Sequence, residues 1–183
     1  MDEQNKKNIM KSVLETVIIA GIVFVLFTFI VIPVRIQGKS MENTLFNNDI
    51  VLINGLGGKI GDIHRFDVVV LDCEELNERI IKRVIGLPGD HIVYKNDELY
   101  INGEHIKQSF LDQDFINYSK QQYSVSFFTN DFEARVGENE IFVLGDNRLR
   151  STDSRDLGNF SFDEIVGKEG LVIFHLDDIK WLD

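Results

Sequence analysis

Three stretches of this 183-residue chain hold side chains that could do chemistry together. The first, "IQGKSM", contains Ser40, and a serine hydroxyl becomes a nucleophile once a base takes its proton. The second, "RIIKRVI", embeds Lys82 and Arg83 in an apolar run. Apolar surroundings can lower the pKa of a lysine by several units, whereas an arginine stays protonated. A neutral Lys82 amine could therefore activate a serine, as histidine does in the more common triad.

The third stretch, "GDNRLRSTDSRDLG", follows an apolar run and combines acids, arginines and small hydroxyls. The arginines could pair with the acids and fix the geometry of a loop, and a hydroxyl could orient a neighbouring amine. The residues concerned are Asp146 and Asp153, Arg148 and Arg155, and Ser151 and Ser154.

Each stretch also has a simpler explanation. Ser40 could be a turn serine, Lys82 a strand lysine with its head in water, and the third stretch a surface loop of paired charges.

Calcium binding by the third stretch is a further alternative. An EF-hand loop needs oxygen ligands at alternating positions, but Arg148 and Arg150 stand two and four residues after Asp146. The four histidines show no triad or metal spacing. The sequence therefore predicts no metal and no cofactor.

The single cysteine, Cys73, excludes an internal disulfide and a cysteine-rich zinc site. The acids around it in "LDCEEL" should raise its pKa, so it is a poor nucleophile. The formal net charge of -11 is opposite in sign to that of a typical nucleic-acid binder. Composition thus excludes several function classes without selecting one.

An uncharged segment, Thr16–Val34, precedes the reactive stretches and would reach about 28 Å as a helix, which is close to the thickness of a bilayer core. A cleaved signal peptide would have a shorter apolar stretch that ends at small residues. We therefore expect a short cytoplasmic segment at residues 1–12 and a transmembrane anchor at 13–34. Lysines precede the anchor, which predicts a cytoplasmic N-terminus and an outer location for the rest.

Short runs rich in Val, Ile, Phe and Tyr follow the anchor, so the outer part should be mostly β. Asn102-Gly103 in "ELYINGEHI" predicts a two-residue type I′ hairpin turn. Ser161 in "SFDEIVG" could cap one helical turn. No long helical period is visible after Val34, and the irregular segment Gln108–Gly137 indicates an inserted lobe.

Together and in this order, "SMxxTL", "RFDVVV", "KRVIGLPGD" and "GDNRxxSxDSRxxG" resemble the bacterial type I signal peptidases. The short chain with one anchor is similar to the Gram-positive form. The resemblance implies a mainly β fold, in which a β-rich catalytic core is interrupted by a smaller β lobe and preceded by one transmembrane helix. It places the core at residues 35–90 and 144–183 and the lobe at 91–143.

The resemblance also implies the roles of individual residues. Ser40, followed by Met41, would be the nucleophile, Lys82 the general base, and the Ser40 backbone N–H an oxyanion donor. Ser151 would hydrogen-bond the lysine amine. The residues expected to support the site are Asp153, Arg155, Asp146 and Arg148.

This chain departs from the family pattern at two positions. Asn43 replaces the usual proline of "SMxPTL", which loses stiffness but no reacting group. Gly38 stands where some members have a serine that helps to bind the oxyanion, so the Ser40 N–H and one unidentified donor should carry that role.

The resemblance implies a membrane-anchored serine endopeptidase that removes signal peptides from exported preproteins after small residues. Its partners would be secretory preproteins, the lipid bilayer and the export machinery, with no nucleic acid. The alternative is an inactive homologue that acts in membrane-protein assembly or binding. A self-cleaving repressor-type peptidase is disfavoured by the anchor, and a sortase-like transpeptidase by the surroundings of Cys73.

Overall fold

The computed structural model describes residues 3–54, 63–173 and 179–182, and the mainly β fold predicted from the sequence is confirmed. One long N-terminal helix is followed by two antiparallel sheets. In chain order the helices and strands are α1 (Glu3–Ile30), β1 (Val31–Arg35), β2 (Ile50–Asn54), β3 (Val68–Cys73), β4 (Glu78–Gly86), β5 (His91–Lys95), β6 (Glu98–Ile101), β7 (Glu104–Ile106), α2 (Gln113–Tyr123), β8 (Phe132–Arg135), β9 (Glu140–Leu144), α3 (Ser154–Leu157), β10 (Phe160–Ser161), β11 (Ile165–Ile173) and β12 (Ile179–Leu182).

The N-terminal helix ends four residues before the predicted end of the anchor. Residues 31–34, which the sequence analysis assigned to the anchor, belong to β1 and pair with β2. β1 is an edge strand, so Pro33, which has no N–H to donate, is tolerated there. The chain therefore passes from α1 into the large sheet without a linker.

The large sheet has eight strands in the order β1-β2-β11-β3-β4-β9-β10, with β12 also paired to β11. Because β9 pairs with β4, this sheet includes residues 140–143, which the predicted boundary placed in the lobe. One of the apolar runs predicted to form strands is "GLVIFHL", residues 170–176, and its last three residues lie outside the described residues. Ser161 caps a short 3₁₀ turn at Phe162–Glu164, as predicted.

The small sheet has the order β7-β6-β5-β8. Asn102 and Gly103, at the β6–β7 turn, both have positive φ, as the predicted type I′ turn requires. The sequence showed no long helical period after Val34 and so missed α2, an 11-residue helix in the connection from β7 to β8. Asp112 caps the start of the helix, and Ser124 ends it in a left-handed conformation. The capping residues therefore specify this helix better than the spacing of its apolar residues does.

Two apolar clusters hold the segments that carry the candidate site. Met41 and Leu45, just after Ser40, pack with Ile81 of β4 and are almost completely buried. Burying each such side chain contributes about 1.5–3 kcal/mol. A second cluster joins Val84 of β4 to Val143 of β9. The core therefore fixes β4 to both the serine segment and the strand before the third stretch.

Candidate active site

Ser40 lies in a closed loop between β1 and β2. The Ile36 N–H donates to the Asp49 carbonyl, and the Asn48 N–H donates back to Ile36, so the loop is pinned at its base. The N–H groups of Thr44 and Leu45 both donate to the Met41 carbonyl and form a turn directly after the serine. Hydrogen bonds and the burial of Met41 thus hold a short segment in one conformation.

Lys82 is brought to Ser40 by β4. Its amine Nζ lies 3.0 Å from Ser40 Oγ and donates to the Ile81 carbonyl at 3.1 Å. The residue is only 4% exposed, although it carries an ionisable head. The structure therefore brings together the predicted nucleophile and the predicted base at hydrogen-bond distance.

Burial lowers the pKa of the Lys82 amine below its ordinary value of 10.5. The negative charge of Asp153 is the largest opposing influence and does not cancel the effect of burial. Desolvation disfavours the charged ammonium, so the neutral amine forms at a lower pH than in water. A neutral amine can accept the proton of the serine hydroxyl, as general-base catalysis requires.

The third stretch reaches the site because β9 pairs with β4. Leu144 lies opposite Arg83, so Gly145 and Asp146 follow directly beside Lys82 and Arg83. The Asn147 N–H donates to the Ser40 carbonyl at 2.9 Å, which joins the stretch to the serine loop. A Cβ at Gly145 would overlap Ser151 Oγ and lie 2.5 Å from the Ser40 carbonyl oxygen, so only glycine fits here.

Asp153 and Arg155 form the ion pair that the sequence predicts. Arg155 Nε and Nη2 donate to the two carboxylate oxygens of Asp153 at 2.8 and 2.9 Å. Burial raises the pKa of Asp153, but the hydrogen bonds and charge of Arg155, together with the Gly145 N–H and the Ser151 hydroxyl, outweigh burial, so its pKa lies below the ordinary value. The Asp153 carboxylate also accepts from the Gly145 N–H and thereby closes the loop.

The expected pairing of Asp146 with a loop arginine was wrong. Asp146 instead accepts from Arg83 Nε at 3.0 Å and Nη2 at 2.9 Å, and both residues are 2% exposed. Arg83 also donates to the Phe66 carbonyl and lies 4.2 Å from the centre of the Phe110 ring. A buried carboxylate is paired best by the nearest buried cation, and the β4–β9 register makes that cation Arg83.

Arg148 turns towards the lobe. Its guanidinium, which is 3% exposed, donates to the Gly145 carbonyl, the Tyr94 hydroxyl and the Gln108 side-chain carbonyl at 2.9, 2.8 and 2.7 Å. Arg148 thus joins the loop of residues 145–153, named the catalytic loop, to β5 and to the β7–α2 connection. None of these three partners is a carboxylate. The sequence indicated a charged side chain at Arg148, but it did not indicate the neutral partners Tyr94 and Gln108, which are distant along the chain.

Ser151 does not hydrogen-bond Lys82, contrary to the expectation. Its Oγ is buried against Gly145 and has no hydrogen-bond partner among the residues that the structure describes. The hydroxyl is nevertheless near enough to Asp153 to help lower the pKa of that carboxyl. Ser154, the other hydroxyl considered, accepts a hydrogen bond from the Val143 N–H at 3.0 Å and so fixes the end of the loop to β9. The Lys82 amine is held by Ser40 and the Ile81 carbonyl instead.

The Ser40 backbone N–H has no protein acceptor within the described part of the chain. It is therefore free to donate to an oxygen that develops negative charge beside Ser40 Oγ. Gly38, by contrast, donates its N–H to Asn47 Oδ1 at 3.0 Å and is not available for that purpose.

A groove of about 610 Å³ opens beside the Ser40–Lys82 pair. Its two long walls are the segment 34–41 and the first half of β4, and the catalytic loop closes it. The lining residues are Val34, Arg35, Ile36, Gln37, Gly38, Lys39, Ser40, Met41, Leu76, Glu78, Arg79, Ile80, Ile81, Lys82, Arg150 and Thr152.

Comparison with known proteins gives consistent results. A family model described as signal peptidase, peptidase S26, matches residues 9–174. A signal peptidase I P of Bacillus subtilis subsp. natto is 40% identical over 181 residues, which is 98% of this chain and 96% of that protein. A signal peptidase IB of Staphylococcus aureus strain MRSA252 is 34% identical over 187 residues, with 96% and 95% covered.

A solved structure agrees with these matches. The crystal structure of a signal peptidase I from Enterococcus faecalis V583 aligns with a TM-score of 0.53 at 36% identity, and covers 60% of this chain and 97% of that one. The family model and the relatives extend over nearly the whole chain. This chain therefore belongs to the signal peptidase family, peptidase S26, and is a serine endopeptidase.

Proposed function

We propose that this chain removes signal peptides from exported preproteins with a Ser40–Lys82 dyad, working at the outer surface of a membrane in which α1 is embedded. The observation that carries the proposal is the 3.0 Å distance between Lys82 Nζ and Ser40 Oγ, formed by a buried lysine of lowered pKa. The names of the relatives supply the substrate class.

The chemistry follows from the positions of the two groups. The neutral Lys82 amine takes the proton of Ser40 as Oγ attacks the scissile carbonyl, and the Ser40 N–H donates to the oxyanion. Lys82 then returns the proton to the leaving amine, which leaves an acyl group on Ser40. Lys82 next takes a proton from water, whose attack on the acyl carbon releases the signal peptide and restores the hydroxyl of Ser40.

The groove is suited to an extended peptide. Residues 78–82 of β4 pair with β3 on one side, and β9 pairs with β4 only from Arg83 onward, so the other edge is open among the described residues. β1, which leads into the opposite wall, is an edge strand. A substrate strand could add to these edges by backbone hydrogen bonds, with small side chains against Ile36, Ile80 and Ile81.

The membrane position rests on α1 and on its direct junction with β1. Lys7–Val25 has a mean hydropathy of 1.8 and is not buried within the protein. Spanning a bilayer core takes about 20 apolar residues, and lysines near the N-terminus favour a cytoplasmic start. Because the helix continues into the sheet that carries Ser40, the groove would lie close to the outer membrane surface, where preproteins leave the export machinery.

Removing the helix should separate chemistry from membrane access. A chain that begins at Val31 keeps β1, so its kcat/KM on a short soluble peptide should stay within about twofold of the full chain. Its rate on a preprotein embedded in vesicles should fall by about tenfold or more, because the shared membrane no longer raises the local concentration. Equal rates on the embedded preprotein would contradict the anchoring role.

The function itself is tested by cleavage of a preprotein. Detergent-solubilised protein should release a mature chain whose N-terminus follows a small-x-small sequence. Ser40→Ala should show no such product, because Lys82 then has no hydroxyl to activate. Ser126→Ala, a change to an exposed serine in the lobe, should leave the product unchanged. Full activity in Ser40→Ala would exclude the proposed nucleophile, whereas the absence of any mature product from the wild-type protein would favour the alternative of an inactive homologue.

A further inference from the structure

The groove beside the dyad differs in charge from the rest of the molecule. The chain has a formal net charge of -11, yet five of the ionisable groups that line the groove are basic and one is acidic. They are Arg35, Lys39, Arg79, Lys82, Arg150 and Glu78. Lys82 works as a neutral amine, so four permanent cations border the path of the peptide. A groove of one sign attracts groups of the opposite sign.

These cations are not equally available to a substrate. Arg79 Nε donates to Asp72 at 2.8 Å, and Lys39 lies 3.9 Å from a Glu42 oxygen. Arg150 has no carboxylate partner within hydrogen-bond distance among the described residues, and its contact is a neutral one, since Nη1 donates to the Tyr123 hydroxyl at 2.9 Å. The phenol holds the guanidinium in place without neutralising it.

Arg150 is also connected to the chemistry through the loop that carries it. It precedes Ser151, whose Oγ packs against Gly145 beside the Ser40 carbonyl, and it lies on the loop that Asn147 joins to Ser40. Tyr123 is the last residue of α2, so the lobe helix contributes to the rim of the groove. Glu42 acts on Arg150 only through its charge, without a hydrogen bond, so the guanidinium is oriented and stays available. A cation in this position can discriminate between substrates by charge.

We propose that Arg150, held by Tyr123 at the end of α2, makes this peptidase favour an acidic side chain within the first three residues after the cut. The inference rests on the proposed function. The acid is placed after the cut because the walls proposed for the residues before it are formed by Ile36, Ile80 and Ile81, against which a carboxylate would lose its hydration. Lobe and catalytic core thus both contribute to specificity.

Peptide pairs that differ only in Glu or Gln test this directly. The pair is placed at the first, second or third position after the cut, and kcat/KM is measured with detergent-solubilised full chain at low salt. The Glu peptide should be cleaved about two- to fivefold faster at one or more positions, the range expected for an exposed ion pair. The preference should shrink at 1 M salt, where such charges are screened.

Substitutions test whether Arg150 causes the preference for Glu over Gln. Arg150→Gln should bring the Glu/Gln ratio to about one, and Arg150→Glu should favour Lys over Gln at the same position. Tyr123→Phe should weaken the ratio because the guanidinium loses its support. Arg79→Gln, which removes a groove cation already paired with Asp72, should retain the ratio. Arg135→Gln, an exposed lobe change, should leave both ratio and activity unchanged.

Two results would overturn the inference while leaving the peptidase function standing. One is a wild-type ratio of about one at all three positions, and the other is a ratio that Arg150→Gln does not alter. Failure of the wild-type chain to cleave any of the Gln peptides would instead overturn the proposed function and this inference together.

Discussion

Lys82→Arg should abolish cleavage, with kcat/KM reduced by about 10³-fold or more, within the range for losing a general base that acts as a unit with its nucleophile. Arginine keeps the positive charge and much of the length but cannot give up its proton. The lowered pKa of Lys82 is caused by burial, and a guanidinium in the same place would stay charged. Initial rates on one peptide, measured at several enzyme concentrations, would give an upper limit for the residual kcat/KM of Lys82→Arg.

Ser40→Ala and Lys82→Ala provide the matched comparison. Because the two groups share one proton transfer, the double variant should be little worse than either single variant. Thermal unfolding of each variant shows whether the fold survives. Turnover by Lys82→Arg within about tenfold of the wild type would contradict the role of Lys82 as base.

Asp146→Ala should cost about 3–5 kcal/mol of folding free energy, because it removes the carboxylate that pairs with the buried Arg83 cation. The two residues are 2% exposed and share three hydrogen bonds, and the pair joins β4 to the loop after β9. For a protein of this size the midpoint of thermal unfolding should fall by about 10 °C.

The surface pair of Arg79 and Asp72 is the control for this loss. Its side chains are 52% and 59% exposed, so Asp72→Asn should change stability by less than about 1 kcal/mol. An Asp146→Ala variant that unfolds within about 2 °C of the wild type, a shift of under about 1 kcal/mol, would show that the buried pair does not hold the loop.

The sequence predicted the dyad because Lys82 and Ser40 each carry a local signal and the family resemblance joins them. The strands and the hairpin at Asn102-Gly103 were predictable for a similar reason, since alternation and turn residues act over a few positions. Arg155 pairs with Asp153 two residues away, a distance at which loop geometry is local.

Contacts that depend on strand register were not predictable. Arg83 meets Asp146 only because β4 and β9 pair in one register, and Arg148 reaches Tyr94 only because the lobe folds back on the loop. The end of α1 was misplaced because Val31–Val34 is as apolar as the helix before it, and only pairing with β2 separates them. Lys82 in an apolar run indicated that a cation was buried there, and Arg83 proved to be a second one.

The pH dependence of kcat/KM tests the central claim most directly, because it reports the essential base of the free enzyme. Below its pKa the Lys82 amine is protonated and cannot accept the serine proton, and above it the dyad is active. With Lys82 as the base, the rate should rise with pH through a single ionisation below 10.5 and then reach a plateau. A profile that is flat from acid to neutral pH, or one that rises only near 10.5, would contradict a buried Lys82 as the general base.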